Sequence, residues 1–571
     1  MNNFKKLRDK LLFSEKNLIS TKASKISRRS ASFRVALGFP NTYEVGMSNL
    51  GFQTIYRILN QMNQVTCERF FLFDFPPAGG TKTLESNSNI KDFDLIAFSI
   101  PFELDYPHVL ELLKLSHIPL LADKRKYSSP LVIAGGVAPT LNPEILAPFL
   151  DCILIGESEE LIGEYMDLYL RLINEKITKE EILFQLAQLQ GVYIPQFYQV
   201  SYHGNGCVKE VKAPEGIPRI IERRMINLEK TETFSPVISP YTHFKNTLLI
   251  ETSRGCIWGC RFCATGHMRQ PCRFYRKESI LAQVKKYSQE SKHVGLIGAV
   301  ISDHPNLEDM CRWLYSEEFE IGTSSLRVDM LSPNLLKILV DSGLKTLTLA
   351  PEAGTDRMWR VIKKSIDKVS VLKSAELARE ADIQNLKLYF IIGLPFEEKS
   401  DIDGIINLIK EVHNIFMADR GSIKQIRKSK RNLRKITLSI NPFIPKPHTP
   451  FQWCAMNSEK TLKEKLDGIE KAIKNLKGIK VERKSIREAI LQGILSVGNR
   501  NVGMGLFYKI DENLNYKQAW KNAGVNTGSL IFESRSTDCA FPWDIIDVKM
   551  SKSILKAEYE KSRLAAIQHS S

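Results

Sequence analysis

The chain has 571 residues, 43% of them hydrophobic and 25% charged, with ten cysteines and a formal net charge of +16. That is the composition of ordinary globular protein with material for two to four domains, and it excludes a disordered, collagenous or disulfide-dense chain. The positive charge permits an acidic partner such as RNA but carries little weight, because lysine is spread along the whole chain.

Residues 1–30 are polar and basic with a weak helical pattern, and read as an extension lacking the apolar core and cleavage site of a secretory signal. Residues 31–195 alternate apolar strands (FRVALGFP, DLIAFSI, LVIAGGVAP, CILIGESEE) with amphipathic helical patterns such as FQTIYRILNQM. This is the pattern of a Rossmann-like, doubly wound parallel sheet, whose ligands bind at the carboxyl ends of the strands. The turns at 41–51 and 135–140 are expected there. Residues 196–244 read as a connector carrying a small hairpin.

From 245 to 455 a second α/β series offers six strands: TLLIET, VGLIGAV, IGTSSLRV, TLTLAPE, LKLYFIIG and KITLSINPF. Six strands joined by helices over this length predict a parallel partial (β/α)6 barrel, with its chemistry at the carboxyl ends. One joining helix carries the stripe Ile402, Ile405, Ile406, Ile409, Val412 and Phe416, with Ser400 expected as its N-cap. Residues 456–571 open on KTLKEKLDGIEKAIKNLKG and read as mainly helical. No apolar stretch approaches the ~20 residues of a membrane-spanning helix, so a cytoplasmic protein is expected.

Seven cysteines are scattered singly and are expected to be small buried hydrophobes, not a disulfide scaffold. The other three stand in RGCIWGCRFCATG, just after the first barrel strand, as Cys256-x3-Cys260-x2-Cys263. Three soft ligands on one turn suit a [4Fe–4S] cluster that leaves one iron open, or zinc if His267 or Cys272 supplies a fourth ligand. Gly255 and Gly259 relieve crowding in such a turn.

That spacing, with Phe262 before the last cysteine, resembles the signature of radical S-adenosylmethionine (SAM) enzymes. GLIGAVISDHPN, SSLRVDML, LAPEAGTDRMWRVIKK, YFIIGLPFE and NPFIPKPHTPFQW resemble, in order, the barrel segments of a subgroup with an N-terminal cobalamin-binding-like domain and no assigned substrate. The resemblance implies reductive cleavage of SAM at the cluster, an electron donor such as flavodoxin or ferredoxin, and SAM contacts from Phe262, Ser302, Arg327, Glu352 and Gly393. Arg327, Asp329 and Glu352 read equally as a structural ion-pair network. The resemblance also points to cobalamin against Gly135 and Gly136 and to methyl transfer, although the Asp-x-His-x-x-Gly element that ligates cobalt in many such domains is absent. Modification of RNA or protein without cobalamin is the alternative outcome. A non-catalytic zinc- or nucleic-acid-binding protein is the rival from another class. The basic run Lys424–Lys435 could hold the phosphates of a nucleic acid or be a solvated face, and no aromatic residues interleave with it as a stacking platform requires.

Overall fold

The computed structural model describes residues 2–18, 33–73, 79–126, 128–175, 177–418 and 434–567. All but the last two residues of the basic run fall outside them.

The N-terminal sheet is built from β1 (Phe33–Phe39), β2 (Val65–Phe71), β3 (Leu95–Ser99), β4 (Leu131–Gly135), β5 (Cys152–Leu154) and β6 (Val192–Tyr193), in the order β2-β1-β3-β4-β5-β6. The first five are parallel and β6 closes the edge antiparallel to β5. The near-continuous burial of β1 and β2 follows from helices on both faces. The order reverses between β1 and β3, which defines the switch point of a doubly wound sheet.

The barrel strands all fall where the sequence places them. Strands β7 (Thr247–Glu251), β8 (His293–Ile297) and β9 (Glu320–Thr323) form one parallel sheet. Strands β10 (Thr346–Glu352), β11 (Asn385–Ile392) and β12 (Lys435–Pro442) form a second, and a Leu326–Leu349 bridge joins the two. A seventh strand, β13 (Ile479–Arg483), extends the second sheet parallel to β12, so the C-terminal region is not wholly helical. Along β11 burial alternates residue by residue, with Leu386, Leu388, Phe390 and Ile392 packed beneath the helices.

Two helices depart from expectation. The segment preceding the first sheet is a packed helix, α1 (Asn2–Ser14), with Phe4 and Leu11 buried. It is followed by Glu15, whose carboxylate takes two 2.8 Å bonds from the buried Arg69. Lys16–Asn17 then pairs with Val237–Ile238, so the segment ties the first sheet to the connector. The helix carrying the isoleucine stripe spans Lys399–Met417 and is capped by Glu398 in a reciprocal box with Asp401, two residues before the expected Ser400. The connector hairpin is present, Gln199–Tyr202 against Val208–Lys212. Its turn holds Cys207, which forms a disulfide with Cys539 across 332 residues. That pairing corrects the expectation of isolated cysteines: the partners are too far apart in sequence for spacing to reveal them. Of the five others, Cys67, Cys152, Cys311 and Cys454 are free and buried, as expected, whereas Cys272 is free and only half-buried. Among the described residues no helix is long and apolar enough to cross a membrane.

Candidate active site

Strand β7 delivers the chain to the cysteine loop, and a two-residue antiparallel ladder, Ser253–Arg254 against Arg273–Phe274, pinches the loop at its base. Gly255 and Gly259 take the left-handed backbone at φ +82° and +60°. A Cβ on Gly255 would overlap the Arg269 carbonyl oxygen, so the turn admits glycine alone. The Gln270 side chain donates to the carbonyl oxygens of Cys256 (2.6 Å) and Gly266 (2.8 Å). Arg261 reaches the opposite side, donating to the Arg360 and Val361 carbonyl oxygens at 2.8 Å each. Its other edge meets Glu558 at 3.2 Å, on the C-terminal helix Lys552–Ile567. The loop is therefore fixed from several sides before any ligand arrives.

Cys256, Cys260 and Cys263 are all free. Burial raises the Cys256 thiol, and pushes Cys260 up to about 12. Left alone those two stay protonated at neutral pH, so metal loading must displace their protons. Three soft donors on one glycine-shaped turn fit the corners of a cubane cluster. A zinc site would draw its fourth ligand from His267 or Cys272. His267 Nε2 lies 3.1 Å from the Cys260 carbonyl oxygen, and Cys272 stands across the loop beside Gly255. Among the described residues no group of three or more His, Cys, Asp or Glu, the three loop cysteines included, is gathered around a single ion position.

The residues expected to meet SAM fall into two groups around the loop. Ser302 Oγ accepts the Arg327 backbone N–H at 2.9 Å, and the Arg327 guanidinium lies 3.5 Å from the ring centre of Trp258. Trp258 Nε1 donates to Asp303 Oδ1 at 2.9 Å, while Asp303 Oδ2 is buried without a partner. That orphaned oxygen suits an ammonium group. Arg327 is clamped by Asp329 at 2.8 and 3.0 Å. On the Cys260 side, Glu352 ends β10 and faces Lys364 at 3.4 Å. The expected single ion-pair network is therefore two separate pairs. Phe262 is half-buried and packs on the barrel core. The Gly393 N–H is taken by Glu397 at 2.9 and 3.0 Å, and Leu462 and Asn457 cover its Cα. Trp258 and Lys364 were not singled out by sequence, although Trp258 lies inside the motif and its aromatic character was the available signal.

A cavity of about 520 Å³ separates the first sheet from the barrel. From one side it is lined by Leu37, Ser99 and Gly135 at the carboxyl ends of β1, β3 and β4, which is the switch point. From the other side it meets Leu249 and Ile297 of the barrel and Arg254, Met268 and Arg269, which flank the cysteines in sequence. Its volume lies in the usual range of roughly 300–1,000 Å³ for small-molecule sites. Gly136 also lines it, at φ +120°, but a Cβ there would overlap the backbone of Ile100. That glycine is required by the chain's own packing rather than by the approach of a ligand. No histidine is among the lining residues. His448, in the proline-rich loop after β12, is buried and does not line the cavity.

These elements define a class. Residues 51–195 match the radical SAM proteins' N-terminal domain and residues 250–409 match the radical SAM superfamily domain. The chain belongs to the radical SAM superfamily, whose general chemistry is cleavage of SAM at a [4Fe–4S] cluster, and it is an enzyme. Among individual relatives, an uncharacterized protein of Methanocaldococcus jannaschii is 28% identical over 477 residues, covering 83% of this chain and 90% of that one. Cytidylyl-2-hydroxyethylphosphonate methyltransferase of Streptomyces wedmorensis is 29% identical over 181 residues, 30% of this chain and 33% of the relative. Among solved structures, the cobalamin-dependent SAM radical enzyme OxsB, with aqua-cobalamin and SAM bound, aligns with a TM-score of 0.47 at 16% identity, over 78% of this chain and 57% of that one. The radical SAM methyltransferase TsrM from Kitasatospora setae aligns with a TM-score of 0.46 at 10% identity, over 71% and 73%.

Proposed function

We propose that Cys256, Cys260 and Cys263 hold the cluster on which SAM is cleaved, and that the adjoining cavity holds cobalamin, making the reaction a methyl transfer. The observation that carries this reading is the cavity itself, set at the switch point of the first sheet and opening against residues that flank the cysteine loop. A cluster held there would supply the electron for cleaving SAM, and cobalamin in the cavity would supply a methyl carrier. The protein's part is binding and orientation. Asp303 Oδ2 takes the SAM ammonium, while Arg327, held on Trp258 and Asp329, keeps Asp303 and Ser302 in register. On the side of the first sheet the lining is apolar, with Leu37, Ala97 and Ile133, and limits water there. The partial relative named as a methyltransferase supports the reaction type.

Anaerobic purification tests the cluster. About four irons and four sulfides per chain are expected, lost in a triple Cys→Ala variant. One zinc and no sulfide would overturn it. Titration with hydroxocobalamin, followed by absorbance, tests the second half. No spectral change and no retained corrinoid would remove methyl transfer and leave radical modification of RNA or protein.

A further inference from the structure

The cavity wall nearest the cysteine loop carries six charged side chains, and their pairing is uneven. Arg254 is held by Glu251 at 2.7 Å and by Glu159, and lies 3.6 Å from Glu157. Glu157 is bonded by Arg273 from behind the wall and accepts the Ile226 N–H at 2.9 Å. Arg223 donates to the carbonyl oxygens of Val548 (3.0 Å) and Gln270. Of these lining residues Arg269 alone has no hydrogen-bond or ion-pair partner among the described residues.

Counting Arg273, four guanidinium groups meet three carboxylates, and all three carboxylates are engaged by Arg254 or Arg273. Arg223 also feels the Asp547 carboxylate, so the uneven partnering falls on Arg269. The Arg269 backbone cannot swing away, because its carbonyl oxygen packs under Gly255. Burial and the neighbouring Arg254 pull its pKa down, while the charges of Glu251, Glu157 and Glu159 work in the opposite direction. Arg269 is half-buried at the cavity wall with its guanidinium unbonded, and the planar fork of that group matches the two oxygens of a carboxylate or phosphate.

We infer that Arg269 receives the anionic group, a carboxylate or phosphate, of the small molecule that occupies this cavity. Three sources share that chemistry: the aminoacyl end of SAM, the nucleotide phosphodiester of cobalamin and an anionic substrate. The inference rests on the cavity and not on cobalamin as its occupant.

Equilibrium dialysis of the anaerobically purified holoenzyme against labelled inorganic phosphate tests it. Wild type is expected to show one saturable site per chain. Arg269→Gln is expected to weaken it by at least about tenfold, the loss of one charge-assisted hydrogen bond, with iron content unchanged, and Arg269→Lys to restore part of the affinity. Competition then assigns the source. Displacement by SAM points to its carboxylate, displacement by cobalamin but not by cobinamide to the phosphodiester, and displacement by neither to the substrate. The absence of a saturable site in wild type, or equal affinity in Arg269→Gln, overturns the inference. Phosphate binding in a protein that takes up no cobalamin would remove the methyl-transfer reading and leave this one standing.

Discussion

Gly255 joins two constraints, a left-handed backbone and the Arg269 carbonyl oxygen packed where a side chain would begin. Gly255→Ala must therefore distort the loop that presents Cys256, at a cost of about 1–3 kcal/mol in local strain. Iron content after anaerobic reconstitution is expected to fall well below wild type, while the far-UV circular dichroism stays unchanged; full iron loading would refute the constraint. His448 gives a pH-dependent counterpart remote from the loop. Its ring is buried, with Nε2 unpartnered, and its pKa is lowered to about 4, chiefly by burial. Between about 6.5 and that value the unfolded chain binds a proton that the folded protein refuses, so stability declines as pH falls through the window and levels off below it. Each pH unit is worth up to about 1.4 kcal/mol. The melting temperature of wild type is expected to drop more between pH 7 and pH 5 than that of His448→Asn, a substitution suited to the residue's φ of +57°. Parallel pH profiles would rule this out.

At the scale of elements, the N-terminal helix matters because it delivers Glu15 to Arg69. Both side chains are almost fully enclosed, and Glu85 takes the other edge of the same guanidinium at 2.7 Å. Removing one partner of a buried pair typically costs about 3–5 kcal/mol, so Glu15→Ala is expected to lower the melting temperature measurably, and an unchanged value would make the pair dispensable. This element was hard to read from sequence because its apolar face is narrow, and a buried ion pair leaves no periodic signal. Four strands of the first sheet and the six barrel strands were legible as largely apolar runs, whereas β2 was not, because its Val-Thr-Cys-Glu-Arg-Phe-Phe buries the charged Glu68 and Arg69. Strand β13 was not, since an edge strand reading Ile-Lys-Val-Glu-Arg looks like the polar end of a helix. The cysteines were legible as a motif. The Trp258–Arg327 stack was not, because it joins loops from different strands whose proximity only the closed barrel creates.

At the scale of the whole molecule, the first sheet is docked onto the rest of the chain by polar contacts on several sides. Glu103 meets Lys446 and accepts from Gln492 at 3.1 Å, Glu144 holds Arg500 at 2.8 Å, and Asn142 donates to the Gly498 carbonyl oxygen at 2.8 Å. The cavity between sheet and barrel is thus set by a fixed joint rather than by a loose hinge. The disulfide between Cys207 and Cys539 adds a topological consequence. It makes everything from the connector hairpin to the C-terminal region, cysteine loop included, a closed covalent circle. A single backbone cut at an engineered protease site inside that circle is expected to give one band on a gel without reductant and two with dithiothreitol; two bands in both lanes would mean the circle is not closed. Thiols of the kind used to arm an iron–sulfur cluster also reduce disulfides, and any that reach this bond, between cysteines 7% and 8% exposed, turn the circle back into an open chain.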